Sequence, residues 1–239
     1  MLGLPDGIHA CLFDLDGVLT QTAKVHAKAW KEMFDGFLEK QEGQKPFDEH
    51  ADYDEYVDGK PREDGVRDFL AARGIVLPEG APGDDAAQDT VNGLGVRKND
   101  IVRKVIERDG VEPYEGSVRY LEAARDAGLR RAVVSSSHNC EAVLKAAGID
   151  HLLEERVDGD TAVEQGLHGK PAPDMFLAGA RAVGVEPAEA AVFEDALVGV
   201  QAGRAGRFGR VIGVDRVGQR EALSEHGADV VVDDLDELL

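Results

Sequence analysis

The feature that most constrains this chain is an apolar segment that runs directly into two aspartates. Residues 8–13 are mostly apolar, and Asp14-Leu15-Asp16-Gly17 follows them. A continuous apolar run of this length, ended by a glycine turn, is typical of a buried strand in a parallel sheet. In open α/β sheets, ligands bind at the carboxyl ends of the strands, which is where both aspartates lie. The segment therefore predicts a strand of an α/β domain with a site at its end.

The two carboxylates themselves require an explanation. Asp14 and Asp16 are spaced two residues apart, and they repel each other unless they share a cation or a proton. One aspartate could instead serve as the N-cap of a following helix. Because a cap needs only one carboxylate, the pair favours a role in chemistry.

The rest of the chain shows two kinds of pattern. From residue 114 onward, apolar segments alternate with helical patterns, which predicts a parallel sheet covered on both faces by helices. Residues 21–113 contain helical stripes and loops but no convincing strand. We therefore expect an α/β fold, a doubly wound parallel sheet built from residues 1–20 and 114–239, with an inserted α-helical cap domain of residues 21–113. Further strands are expected near 131–135, 156–157, 190–193, 211–214 and 230–232.

The inserted segment has three stretches of helical periodicity, residues 22–40, 61–73 and 89–110. Gly93 and Gly95 are candidate breaks in the third helix, because glycine weakens a helix interior. The insertion begins beside the predicted site, so a cap hinged at its ends would close over a substrate and exclude water. An inert helical insertion is the alternative.

The net charge of the chain bears on which macromolecules it can bind. The chain has 27 lysines and arginines against 47 aspartates and glutamates, a formal net charge of −20, which disfavours binding to nucleic acid or to an anionic membrane. Two isolated cysteines, Cys11 and Cys140, make no disulfide framework. The chain shows no signal-peptide pattern and no apolar run of roughly 20 residues. We expect a cytoplasmic protein that is monomeric or weakly dimeric.

Three further segments place polar groups near predicted strand ends. Residues 135–139, Ser-Ser-Ser-His-Asn, begin a predicted helix, where hydroxyls and backbone N–H groups can hold an anion. Lys170 lies between a glycine and a proline-rich helix start, whereas the other nine lysines are expected to be solvated surface groups. Glu194 and Asp195 follow the strand predicted over 190–193. Taken singly, the serine run and the acidic pair would be helix caps or turns.

Together with Asp14 and Asp16, these segments resemble the four motifs of the haloacid dehalogenase-like (HAD) superfamily, in the right order. The position of the helical insertion resembles the cap of its β-phosphoglucomutase-like branch. The resemblance implies a Rossmann-like core in which Asp14 is the nucleophile that becomes an aspartyl phosphate. It implies that Asp16 is the general acid/base. The phosphate- and substrate-binding residues that it implies in the core are Ser135, Ser136, Ser137, His138, Asn139 and Lys170.

The resemblance also implies Mg²⁺ as the cofactor. The expected ligands are the carboxylates of Asp14 and Asp195 and the backbone carbonyl of Asp16, with Glu194 acting through water. Mg²⁺ prefers hard oxygen ligands, typically one or two carboxylates together with waters and phosphate oxygens. The acidic pair at 194–195 is therefore interpreted as part of a metal site.

The inserted segment adds residues that resemble the same branch. Thr22, His26 and Trp30 resemble the pattern that follows its first motif, and Arg62 resembles its cap arginine, which grips the phosphate that is not transferred. His26 and Trp30 also fall on an apolar helical stripe, so packing in the cap core explains them equally well. Arg62 could instead belong to a surface ion pair.

The sequence departs from this branch at Asp58 and His138, where the branch carries lysines, and both changes bear on the second phosphate site. The predicted function is Mg-dependent phosphoryl transfer on a sugar phosphate through an aspartyl phosphate. The expected reaction converts β-glucose 1-phosphate to glucose 6-phosphate by way of glucose 1,6-bisphosphate. A sugar-phosphate phosphatase of the same fold, in which water resolves the aspartyl phosphate, is the nearest alternative. A non-catalytic protein that binds Mg²⁺ and a phosphorylated ligand is a third.

Overall fold

The computed structural model describes residues 2–239, and the chain forms two compact units. One unit comprises Met1–Gln21 and Val111–Leu239, and the other comprises Thr22–Gly110. The first unit contains the sheet, and the second is built from helices and loops. Within residues 2–239, no helix is both long and apolar enough to cross a membrane.

The sheet has six parallel strands in the order β3-β2-β1-β4-β5-β6. The two neighbours of β1 are β2 and β4, and Phe13 at the end of β1 lies opposite both Val133 and Phe193. Because the strand order reverses between β1 and β4, their carboxyl ends form the switch point at which such sheets bind ligands. The predicted doubly wound parallel sheet is confirmed. The strands are β1 (Ala10–Phe13), β2 (Arg130–Val134), β3 (Glu155–Val157), β4 (Ala190–Glu194), β5 (Arg210–Val214) and β6 (Val230–Val232).

The helical unit has an aromatic core. Residues 22–110, all of which the structure describes, contain no strand; their α-helices are α1 (Ala23–Leu38), α2 (Arg62–Ala72) and α3 (Val91–Asp109). Trp30 stacks on Phe34 at 5.3 Å between ring centroids, and the Phe34 ring lies 4.1 Å from that of Phe69. Aromatic side chains bury large areas of apolar surface, so these rings contribute strongly to the hydrophobic core that stabilises the unit.

The α3 helix runs unbroken through both of its early glycines, so the predicted break there is wrong. The Thr90 hydroxyl accepts a hydrogen bond from the Gly93 N–H (2.9 Å), which caps the first turn. A Cβ atom at Gly93 would lie 2.1 Å from the Gln88 carbonyl oxygen, and one at Gly95 would lie 3.4 Å from Arg62 Nε. Gly93 therefore allows the preceding segment to approach the helix closely, whereas a Cβ atom at Gly95 would make an ordinary van der Waals contact.

Six helices accompany the sheet, and one of them was not predicted. That helix, α6, begins after Asp158, whose carboxylate accepts hydrogen bonds from the backbone N–H and hydroxyl of Thr161 at 2.9 Å each. Its sequence has little apolar periodicity, so the capping aspartate was its only strong signal. The six are α4 (Glu115–Asp126), α5 (Cys140–Ala147), α6 (Gly159–Gln165), α7 (Asp174–Ala182), α8 (Leu197–Ala205) and α9 (Arg220–Glu225).

The chain leaves and re-enters the α/β unit through two paired segments. The Gln21 N–H donates to the Glu112 carbonyl (2.9 Å), and the Tyr114 N–H donates to the Leu19 carbonyl (3.0 Å). The Ser117 hydroxyl also donates to the Val18 carbonyl (2.6 Å). The loop after β1 is therefore tied to the start of α4.

Candidate active site

Three acidic side chains converge where β1 and β4 end. Asp14 directly follows β1, while Glu194 is the last residue of β4 and Asp195 follows it. The Asp14 N–H donates to the Phe193 carbonyl (2.9 Å), which fixes the register at this edge. One carboxylate oxygen from each of the three acids lies within 4.8 Å of the others. The sheet topology thus brings together acids that lie far apart in the sequence.

Lys170 is buried between two of these carboxylates. Its ammonium nitrogen Nζ donates to Asp14 Oδ1 and to Glu194 Oε1, each at 2.5 Å, and to the Val134 carbonyl at 3.3 Å. The Lys170 and Glu194 side chains are 0% exposed. In a chain with a net charge of −20, Lys170 places a buried positive charge between two carboxylates, and its role toward an anionic substrate stays a prediction.

The buried groups shift one another's protonation. Burial raises the pKa of Glu194 to about 7, and the positive charge of Lys170 opposes that rise. Burial alone would lower the pKa of Lys170, but the negative charges of Asp14 and Glu194 outweigh it and raise the pKa above its usual value. Lys170 therefore stays protonated at neutral pH and favours the ionised form of Asp14.

The acidic group fits a hard divalent cation. Asp14, Glu194 and Asp195 each offer a carboxylate oxygen to the same small space. Such oxygen donors suit Mg²⁺. The carboxylate of Asp16 is not a member of this group, so its expected contribution, through the backbone carbonyl, stays a prediction.

Gly17 lets the loop after β1 approach the acidic group closely. Its φ is +84°, and a Cβ atom there would lie 1.7 Å from Asp195 Oδ2. We expect Gly17→Ala to destabilise the fold by about 1 kcal/mol for the positive φ plus roughly 1–3 kcal/mol for the clash, and to weaken Mg²⁺ binding measured by titration calorimetry. Gly128→Ala is the matched control, because Gly128 has a φ of +76° and open space around its Cβ position. Equal losses of stability in both variants, measured by urea denaturation, would contradict the close approach.

The serine loop after β2 forms a turn that leads into α5. The Ser135 hydroxyl accepts a hydrogen bond from the Ser137 N–H, and the Ser137 hydroxyl accepts one from the Asn139 N–H, both at 3.1 Å. Ser135 is buried, and its own N–H donates to the Val157 carbonyl (2.9 Å). Each hydroxyl also carries a hydrogen that it can donate to an anion. The loop thus combines a turn with anion-binding capacity, and its role in binding phosphate stays a prediction.

The unpredicted helix α6 supports this serine loop. His138 Nδ1 lies 2.5 Å from Asp160 Oδ1 in the first turn of α6. The Gly159 N–H donates to the Ser137 carbonyl (3.2 Å), and a Cβ atom at Gly159 would lie 2.9 Å from the Ser136 carbonyl oxygen. The histidine that replaces the branch's lysine is therefore engaged with a carboxylate of its own chain.

In the helical unit, two of the predicted site residues meet a buried lysine. His26 Nδ1 lies 2.8 Å from Lys98 Nζ, which in turn lies 4.8 Å from the centroid of the Trp30 ring. The Thr22 side chain is buried just before α1, and the Thr22 carbonyl accepts the His26 N–H (3.0 Å). Trp30 belongs to the aromatic core, as the packing interpretation expects. Roles of these residues in substrate binding stay predictions.

The expectation that nine of the lysines are solvated is wrong for Lys98, which is 6% exposed. Leu94 lies one helical turn before it on α3 and Val102 one turn after it, and both are fully buried. A lysine on the apolar stripe of a helix is the signal that could have found this residue.

Arg62 forms the ion pair that one interpretation expected. Its Nε donates to Glu63 Oε1 (2.6 Å), and the pair lies against Gly95 of α3. The neighbouring Lys60 pairs with Asp68 (2.6 Å). In the described part of the chain Arg62 donates through Nε alone, so its two terminal amino groups stay available for bidentate binding of a phosphate.

The buried His26 is expected to make the stability of the protein depend on pH. Burial, and then the charge of Lys98, lower the pKa of His26 well below 6.5. Unfolding restores the usual pKa, so below pH 6.5 the unfolded chain binds more protons and stability falls as the pH falls. We expect wild type to lose about 1.4 kcal/mol per pH unit relative to His26→Gln below that pH, measured by urea denaturation between pH 5 and 8. His151→Gln, at an exposed position, should track wild type, and a pH-independent difference for His26→Gln would refute the assignment.

Several known proteins resemble this chain in sequence or in fold. A family model described as "Hydrolase: haloacid dehalogenase-like hydrolase" matches residues 8–207. The chain is 57% identical over 247 residues to a β-phosphoglucomutase of Mycobacterium tuberculosis, covering 100% of this chain and 94% of the relative. It is 30% identical over 198 residues to a fructose-1-phosphate phosphatase of Escherichia coli, covering 81% and 90%. A solved structure of β-phosphoglucomutase from Clostridium difficile superposes with a TM-score of 0.77 at 24% identity, covering 97% of this chain and 93% of that one.

Proposed function

We propose, since this chain belongs to the haloacid dehalogenase-like hydrolase family and to its β-phosphoglucomutase-like branch, that it converts β-glucose 1-phosphate to glucose 6-phosphate. It is an enzyme of the phosphoglucomutase or phosphatase type. The observation that supports phosphoryl transfer is the buried contact of Lys170 Nζ with Asp14 Oδ1 at the sheet's switch point. The choice of a mutase reaction is supported by the 57% identity across the whole chain to a mutase.

In the proposed chemistry, Asp14 is the nucleophile. Lys170 holds Asp14 Oδ1 and keeps the carboxylate ionised, and this carboxylate attacks phosphorus in line. The ester P–O bond breaks as the new Asp14–phosphate bond forms, and Asp16 gives a proton to the departing sugar oxygen. When bound, Mg²⁺ would supply positive charge opposite the carboxylates and the transferring phosphoryl group.

The mutase cycle uses the same residues in both directions. The enzyme carrying phosphorylated Asp14 donates its phosphoryl group to the 6-hydroxyl of β-glucose 1-phosphate, and Asp16 removes the proton from that hydroxyl. The resulting glucose 1,6-bisphosphate reorients and returns its 1-phosphate to Asp14, which releases glucose 6-phosphate. The roles of the remaining predicted residues belong to this proposal, as does the role of the helical unit as a cap. Those residues are Thr22, His26, Trp30, Arg62, Ser135, Ser136, Ser137, His138 and Asn139.

A sugar-phosphate phosphatase is the second candidate function. The relative from Escherichia coli is a fructose-1-phosphate phosphatase, and here His138, one of the two departures from the mutase-like branch, is engaged with Asp160. Weaker binding of a second phosphate would allow water to resolve the aspartyl phosphate before the bisphosphate returns.

One experiment separates the two functions. The protein is incubated with Mg²⁺, β-glucose 1-phosphate and a catalytic amount of glucose 1,6-bisphosphate, and the products are followed by ³¹P NMR. We expect glucose 6-phosphate to accumulate without stoichiometric inorganic phosphate, at a rate that rises with the bisphosphate concentration. Steady release of phosphate at a rate independent of the bisphosphate would replace the mutase with the phosphatase.

A further inference from the structure

The loop between β5 and α9, residues 215–219, holds the backbone beside the acidic group. Arg216 Nε donates to the Gly17 carbonyl at 2.8 Å. Gln219 Nε2 donates to the Asp195 carbonyl at 3.0 Å. This loop lies beyond the residues matched by the family model, which end at 207. Two side chains of one loop therefore grip the two segments that carry the predicted proton donor and a predicted metal ligand.

Hydrogen bonds within the same loop and to its surroundings hold it in place. Asp215 Oδ1 accepts the N–H groups of Gly218 and Gln219, at 2.7 and 2.9 Å. The Arg216 guanidinium carbon lies 3.6 Å from the centroid of the Tyr114 ring, and its Nη1 donates to Asp234 Oδ2 (3.0 Å). The Arg216 side chain is only 14% exposed. The planar guanidinium is thus held by the Gly17 carbonyl, the Tyr114 ring and Asp234, so it has little freedom to move.

The contact with Gly17 is the one that matters for chemistry, because Gly17 directly follows Asp16. Within the loop after β1, the Gly17 N–H donates to the Thr20 carbonyl (2.8 Å), and the Thr20 N–H donates to the Leu15 carbonyl (2.9 Å). Those bonds set the internal shape of the loop. Arg216 fixes the loop from outside at the carbonyl of Gly17, one peptide beyond Asp16, so it influences where the Asp16 carboxylate lies relative to Asp14.

We propose that Arg216 is a positioning residue that orients Asp16 for proton transfer. The inference rests on the proposed function, in which Asp16 exchanges a proton with the sugar oxygen. Loss of the Arg216–Gly17 hydrogen bond frees the Gly17–Val18 peptide to rotate, and this loosens the turn that follows Asp16. Misplacement of a catalytic group by about 1 Å can cost roughly 100-fold in rate, while substrate binding that does not involve Asp16 is preserved.

The test compares Arg216→Met with Arg220→Met in the full-length protein with Mg²⁺. Arg220 is a matched control, since it also ties the loop region to the C-terminal segment, through Asp233 Oδ1 (2.5 Å) and the Val231 carbonyl. We expect Arg216→Met to lower kcat by about 10- to 100-fold with KM within about twofold of wild type. Arg220→Met should leave both within about twofold. Hydrogen exchange of residues 14–20 should rise in the first variant only.

Two outcomes would overturn the inference. One is a kcat for Arg216→Met that matches the kcat of Arg220→Met. The other is an Arg216→Met variant in which KM rises while kcat stays at the wild-type value. If Arg216→Met does not fold, Arg216→Lys carries the same comparison, because lysine keeps the charge but not the fork. Failure of the proposed function would be seen in wild type itself, as hydrolysis of β-glucose 1-phosphate instead of isomerisation. In that case the rates of hydrolysis of the two variants are compared in the same way.

Discussion

Asp14→Asn is expected to lower kcat on β-glucose 1-phosphate by about 10⁴-fold or more and to abolish the covalent phosphoenzyme. The amide has almost the same shape as the carboxylate but is not a nucleophile. Lys170 keeps its second partner, Glu194 Oε1 (2.5 Å), so the buried lysine is not left unpaired and the fold should persist. Steady-state kinetics and trapping of the acyl phosphate with hydroxylamine measure the two effects.

Asp126→Asn is the control for this substitution, because the Asp126 side chain is 70% exposed at the end of α4 and pairs with the neighbouring Arg125. It should match wild type in rate. The melting temperature of Asp14→Asn should stay within a few degrees of wild type, which separates lost chemistry from lost structure. Turnover of Asp14→Asn within tenfold of wild type, in protein shown by mass spectrometry to be free of deamidation, would remove Asp14 from the role of nucleophile.

The convergence of the acidic group was predictable from the sequence, and the reason is geometric. Asp14 and Glu194 each end an apolar run, and parallel strands place such ends on one edge of a sheet. Once the runs are recognised as neighbouring strands, the acids must lie near one another. The resemblance to known motifs then adds Lys170, which no periodic pattern would single out.

The sequence did not predict contacts between segments that are far apart in the chain and that no common hydrophobic periodicity relates. Arg216 and Gly17 are 199 residues apart, and nothing in the pattern around either residue reports the other. Lys98 was overlooked because a lysine is usually solvated, although its place on the α3 stripe marked it. At Gly93, packing outweighs helix propensity, because the Gln88 backbone lies too close for a Cβ atom.

Lys170→Met is expected to destabilise the metal-free protein by about 3–5 kcal/mol at pH 8 and to lower kcat by about 10²- to 10³-fold. Without the ammonium, the carboxylates of Asp14 and Glu194 share a buried site with no positive charge between them. Their pKa values then rise, and in the range between the usual carboxyl pKa and the raised values the folded protein binds more protons than the unfolded chain. The deficit in the free energy of unfolding should therefore grow as the pH rises from 5 to 8, measured by urea denaturation.

Two further variants sharpen this expectation. Lys60→Met removes a lysine whose partner, Asp68, is half exposed, so it should cost less than about 1 kcal/mol at any pH. Adding Glu194→Gln to Lys170→Met removes one of the two buried negative charges. We expect the double variant to recover part of the stability at pH 8. Its activity should stay low, because the positive charge of Lys170 opposite the phosphoryl group is still missing. A deficit for Lys170→Met that stays constant with pH, or that Glu194→Gln fails to reduce, would mean that Lys170 stabilises the site by packing rather than by its charge.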